Sequence, residues 1–129
     1  MKRILVVEDD NSLSVLLRLI MKVQQEDWDV SSAATGVEAL SQVEKFHPDL
    51  ILLDIMMPEM DGLEVARRLH GDPRYKDQKI VILSALSDAD TQRKAKEAGV
   101  LEYWTKPISP DELREGMLRV LGNDVGDLL

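Results

Sequence analysis

Two hydrophobic periods alternate along the chain. Residues 4–7 are an unbroken apolar run, the mark of a strand buried on both faces. Leu13, Leu16, Leu17 and Ile20 then recur at helical spacing behind Asn11 or Ser12, either of which suits an N-cap. A weak strand is predicted over 30–33. Thr35-Gly36-Val37-Glu38 follows as a capping box, opening a helix with Val37, Leu40 and Val43 turned inward. Leu50 to Leu53 predict a third strand and residues 61–69 a helix. Residues 80–83 predict a fourth strand, 88–98 a helix and 103–105 a short fifth strand. Ser109-Pro110-Asp111-Glu112 joins an N-cap Ser, a Pro at N1 and a capping-box Glu, which start a last helix running to 121.

Five apolar strands alternating with five helices imply an α/β fold with a parallel sheet covered on both faces. Right-handed crossovers that place helices on both faces force the strand order to reverse once, as in the flavodoxin-like doubly wound order 2-1-3-4-5. With 129 residues the chain makes one domain, expected over 1–121, followed by a tail or linker start at 122–129.

Composition narrows the function. The net charge of -8 and the lack of a dense Lys/Arg cluster argue against direct nucleic-acid binding. The chain has no cysteine, so disulfides, thiol nucleophiles and thiolate metal sites are excluded. No apolar run reaches the ~20 residues that span a bilayer. Met1-Lys2-Arg3-Ile4 begins no signal peptide, so the cytoplasm is the expected compartment.

The informative polar residues fall at strand ends. Glu8, Asp9 and Asp10 follow the first strand, Asp54 the third, Ser84 the fourth and Lys106 the fifth. In a parallel sheet these ends share one edge, and the order 2-1-3-4-5 sets the first and third strands side by side. Converging carboxylates repel unless cations join them. Lys106 supplies one positive charge, and Mg²⁺, a hard ion that takes oxygen ligands and keeps exchangeable waters, fits the remainder. A carboxylate so placed can attack a phosphoryl group, and Lys106 and the Ser84 hydroxyl could meet the transferred oxygens.

The stretches ILVVEDDNSL, DLILLDIMMPEMDG, VILSAL and YWTKPIS occur in this order. Over about residues 2–121 the chain resembles the response-regulator receiver domains of two-component signalling, the chemotaxis regulators among them. The resemblance implies Asp54 as phosphoacceptor, with Lys106 and Ser84 contacting the phosphoryl group. It implies Asp9 as a direct Mg²⁺ ligand, Glu8 acting mostly through water, and Met56 as a ligand through its carbonyl. Ser84 and Tyr103 become switch residues, while Asp10 falls at a variable position and is left outside the site. Implied partners are a sensor histidine kinase or phosphotransfer protein and a downstream output domain or protein, without membrane contact. Gly116 and Leu86 stand where the winged-helix branch carries arginines that pair across an activation dimer. That departure argues against this dimer mode and leaves a phosphorylation-dependent homodimer open.

A lone strand-end Asp is usually a turn residue, and Ser84 alone would cap a turn. Trp104 is read as packing, Met57 and Met60 as loop and core side chains, and His47 and His70 as residues tolerated near helix C-termini. Gly116 is expected to cost its helix up to ~1 kcal/mol relative to Ala. A dehalogenase-like phosphohydrolase would need an Asp where Met56 stands. A flavin protein would need a phosphate loop where Glu8 to Asp10 stand. A receiver reduced to a binding surface would not need the full acid, Ser and Lys set. The helix over 88–98 carries mainly alanines on its apolar face, so it is expected to be the easiest element to shift.

Overall fold

The computed structural model describes residues 1–24 and 26–122; the expected tail lies, from residue 123 on, outside them. Strand and helix alternate five times: β1 (Lys2–Val7), α1 (Ser12–Gln24), β2 (Trp28–Ala33), α2 (Gly36–Phe46), β3 (Leu50–Leu53), α3 (Gly62–His70), β4 (Ile80–Ser84), α4 (Ala89–Glu97), β5 (Glu102–Thr105) and α5 (Pro110–Leu121). The sheet is wholly parallel in the order β2-β1-β3-β4-β5, the order predicted from the sequence.

Alternation along the strands builds two cores. Leu5, Val7, Ile51, Leu53, Ile80 and Ile82 point to one face, where they meet Val43 of α2, Leu63, Val65 and Leu69 of α3, and only Ala95 and Ala98 from α4. Ile4, Val6, Leu50, Leu52, Val81 and Leu83 point to the other, against Leu17 and Ile20 of α1 and Leu113, Met117 and Val120 of α5. Each central strand is buried on both sides, which is why its sequence reads as a continuous apolar run.

The structure departs from the local pattern in four places. Val37 does not face inward: it is 63% exposed, and α2 buries Gly36, Ala39 and Val43 instead. Two of those three residues are small, so they carried little hydrophobic signal. The Thr35 hydroxyl does accept from Glu38 N at 3.1 Å, but the Glu38 carboxylate accepts from Ala34 N, one residue outside the box. Asn11 holds the N-cap position of α1, its carbonyl accepting from Val15 N at 3.0 Å, but the side chains that cap the first N–H groups come from further back. Asp10 accepts from Ser12 N at 2.8 Å, and Glu8 accepts from Leu13 N at 2.7 Å. By contrast, the Ser109–Glu112 capping box of α5 is complete in both directions. Strand β2 also begins earlier than its weak pattern suggested, at Trp28.

Candidate functional site

The register of the sheet assembles the site. Val7 pairs with Leu53, and Asp54 N donates to Val7 O at 2.9 Å, so Glu8 and Asp54 leave neighbouring strands side by side. Ser84 ends β4 in register with Thr105 of β5. Lys106 N then donates to Ser84 O at 2.8 Å, which aims the lysine back across the edge. The Lys106–Pro107 peptide that follows is cis.

The Lys106 ammonium lies 3.4 Å from Asp54 Oδ2 and 3.5 Å from Glu8 Oε2, bridging the two strand-end carboxylates. Glu8 is 4% exposed; burial, the largest influence, pushes its carboxyl above the ordinary glutamate range, against the Leu13 N–H and Lys106, which favour the charged form. Burial by itself would lower the Lys106 ammonium, but the charges of Asp54 and Glu8 outweigh it and raise it. Asp54 Oδ1 accepts from Met56 N at 3.1 Å, curling the start of the β3–α3 loop around the carboxylate.

Asp9 is exposed, and Met56 turns its side chain to solvent. Asp10, left aside in the sequence, borders the site. Hydrogen bonds from Ser12 hold its carboxyl below the ordinary aspartate range, and its negative charge acts on Glu8. Its position two residues before the hydroxyl that opens α1 is the signal that could have found it.

Ser84 is fully buried, and it is joined to Tyr103 through the backbone of one residue, Leu86. Ser84 Oγ accepts from Leu86 N at 3.3 Å, while the Tyr103 hydroxyl donates to Leu86 O at 2.6 Å. Burial pushes the Tyr103 phenol up. No side-chain type marks Leu86 for this role, because both contacts are to its backbone.

The donor chemistry fits a hard divalent ion: carboxylates and a main-chain carbonyl, without nitrogen or sulfur. Among the described residues no three acidic or histidine side chains stand close enough to enclose a metal. Mg²⁺ is held by one or two carboxylates and keeps several waters, so it needs no such cage.

A pH dependence follows in the metal-free protein. A raised native carboxyl binds its proton more tightly than the unfolded chain does. Glu8 therefore costs stability as pH climbs from the ordinary glutamate value of roughly 4.3 through its raised value. Gln keeps an oxygen for Leu13 N and carries no such proton. Unfolding in urea with EDTA should show Glu8→Gln gaining on the wild type as pH rises above the ordinary glutamate value. Parallel curves for the two proteins would refute this.

Among the described residues no helix is long and apolar enough to cross a membrane. The family model for the response regulator receiver domain matches residues 4–117. Sporulation initiation phosphotransferase F of Bacillus subtilis is 33% identical over 122 residues, which cover 93% of this chain and 94% of that protein. The cyclic di-GMP phosphodiesterase response regulator RpfG of Xanthomonas campestris is 39% identical over 111 residues, 86% of this chain but 29% of that protein. The chain likewise spans about half the length of several transcriptional relatives, 48% in the case of a probable regulator from Porphyridium aerugineum. Among solved structures, a CheY-like receiver domain protein from Methanospirillum hungatei superposes with a TM-score of 0.83 at 28% identity, covering 94% of each chain. Chemotaxis protein CheY4 of Vibrio cholerae gives 0.79 at 29% identity, covering 93% of this chain and 98% of that one. With the family model spanning most of its length, this chain belongs to the response regulator receiver domains of two-component systems.

Proposed function

We propose that Asp54 takes a phosphoryl group from the phosphohistidine of a sensor histidine kinase or phosphotransfer protein. The observation that carries this is the Lys106 ammonium set between Glu8 and Asp54 at the switch point of the sheet. An Asp54 oxygen attacks phosphorus, and the bond to the donor breaks with its electron pair leaving on the donor. The product is an aspartyl phosphate, which water later hydrolyses. Lys106 follows the charge onto the transferred oxygens. Glu8, Asp9, Asp54 and the Met56 carbonyl would hold Mg²⁺, which neutralises phosphoryl charge when bound. The chain thus acts as a signalling module that catalyses only its own phosphorylation and dephosphorylation.

The signal leaves through the backbone of Leu86. When the Ser84 hydroxyl turns to the phosphoryl group it releases Leu86 N, and the matching grip of Tyr103 on Leu86 O is loosened with it. The loop into α4 then repacks, and α4 moves readily because it buries only small side chains. The α4–β5 surface presents the change to an output domain or partner protein. A coupling of ~1–3 kcal/mol between site and surface is typical. The acidic net charge supports a protein rather than a nucleic acid as the direct partner, and the absence of cysteine suits a cytoplasmic setting.

Incubation with acetyl phosphate and Mg²⁺, read by intact mass, should add one phosphoryl group. The same incubation in EDTA should add none. A protein that gains nothing in Mg²⁺, while Mg²⁺ quenches its tryptophan fluorescence, would be a metal-binding surface and not a phosphoacceptor.

A further inference from the structure

Val15, Leu19 and Val23 of α1 are 48%, 54% and 73% exposed. A spacing of four residues lines them up along one stripe of the helix. The core does not use that stripe, because α1 buries Leu13, Leu17 and Ile20 on another side. Next to it, Leu16, Leu19, Ile20 and Val23 face Pro110 and Arg114 of α5 across a groove of about 210 Å³. Single exposed apolar side chains are ordinary on a protein surface, whereas a run of them beside a groove marks an interaction site.

Charge divides the two sides of this groove. At about 100° per residue, Arg18 and Lys22 fall on the side of α1 turned away from α5. Asp111 lines the α5 side, and Glu115 follows it one turn on. All four are exposed, and among the described residues none of them enters an ion pair. Arg114, by contrast, is held by Glu26 at 2.7 Å. The face therefore runs from basic through apolar to acidic.

A face so ordered is complementary to itself. Both helices return against the direction of one parallel sheet, so α1 and α5 run the same way. A two-fold axis lying along the groove lays apolar stripe on apolar stripe and sets each basic side over the acidic side of the other copy. A two-fold axis across the groove would set like charges together. With a net charge of -8 two copies otherwise repel, so this local match decides the orientation.

We infer that the α1–α5 face is a docking surface for a second copy of this chain, paired about a two-fold axis parallel to the groove. The α1 stripe lies on a helix about 20 Å long, packed roughly 8–10 Å from its neighbour, which puts the face at the small end of specific interfaces. The dimer is accordingly weak, with a Kd on the order of 0.1–1 mM. It leaves the α4–β5 surface uncovered and needs no arginine in place of Leu86 or Gly116.

Sedimentation of the wild type from about 20 μM to about 1 mM should show a monomer–dimer equilibrium, and dilution should shift the amide signals of α1 and α5 alone. Leu19→Asp, at an exposed position, should stay monomeric and melt as the wild type does. Arg18→Glu/Lys22→Glu sets acid against acid and should weaken the dimer roughly tenfold or more, and adding Asp111→Lys and Glu115→Lys should restore it. A circular dichroism melt of each variant separates lost pairing from lost folding, and Leu19→Asp decides the matter if the four-site variant does not fold. A wild type monomeric at the highest concentration, a dimer that survives Leu19→Asp, or one indifferent to the charge reversals would overturn the inference. So would contacts between the methyls of Leu19 or Val23 and those of Leu128 or Leu129 within one molecule, which would put the chain's own end in the groove.

Discussion

Asp54→Asn should take no phosphoryl group from acetyl phosphate under conditions that modify the wild type fully, while folding as before. The substitution removes the attacking oxygen and its charge but little else. The amide oxygen can still accept from Met56 N, so the loop start keeps its shape. Lys106 keeps Glu8 at 3.5 Å, and the loss of one ion pair is partly offset by the end of repulsion between two neighbouring carboxylates. Thermal unfolding should therefore stay within ~1 kcal/mol of the wild type, the scale of one ion pair at a partly open site. Intact mass with and without Mg²⁺ measures the uptake. Asp9, Asp10 and Glu8 are the rival nucleophiles on the same edge. Glu8 is tied to Leu13 N and Lys106, and Asp10 to Ser12, so each already spends an oxygen on structure. A phosphoryl group gained by Asp54→Asn would assign the chemistry to one of these acids and overturn the role given to Asp54.

The site was legible in the sequence where it depends on strand order, and illegible where it depends on backbone groups. Glu8, Asp54, Ser84 and Lys106 could be placed together because four apolar runs each end in a polar residue and the parallel order brings those ends to one edge. The Leu86 backbone, gripped at its N–H by Ser84 and at its carbonyl by Tyr103, has no residue type to give it away. Asp10 falls at a variable position of the family, yet it caps α1 and acts on Glu8. In sequence His70 is only a helix-end residue, and the two carbonyls beside its ring come from 8 and 28 residues away. Gly116 shows the limit of propensity arguments. Taken alone it weakens α5, but a Cβ there would stand 2.6 Å from the Trp104 ring, so its bareness is what lets the indole lie against the helix. Alanine at that position would not recover the helix propensity without moving Trp104.

Gly62 presents the same conflict in sharper form, and here the magnitudes decide it. Gly62 is the first residue of α3, and on propensity alone Gly62→Ala should stabilise by up to ~1 kcal/mol. A Cβ at this position would stand 2.3 Å from Asp54 O, 2.9 Å from Asp54 C and 3.0 Å from Ile55 Cα. These are backbone atoms, so no rotamer change relieves the overlap. Either the end of β3 or the start of α3 must move. Gly62 N donates to Ile55 O at 3.1 Å, and α3 buries Leu63, Val65, Ala66 and Leu69 behind it, so both alternatives disturb a packed core. Overpacking of this kind costs about 1–3 kcal/mol and occasionally more, and contact with unyielding backbone belongs at the upper end. The net expectation for Gly62→Ala is a loss of about 2–3 kcal/mol in urea unfolding, a large share of a typical domain's ~5–15 kcal/mol. Because the displaced group is the Asp54 peptide itself, phosphoryl uptake should slow in the fraction that remains folded. A variant with the wild-type midpoint and wild-type uptake would mean that the loop yields freely, and that the glycine in MDG serves only to turn the chain.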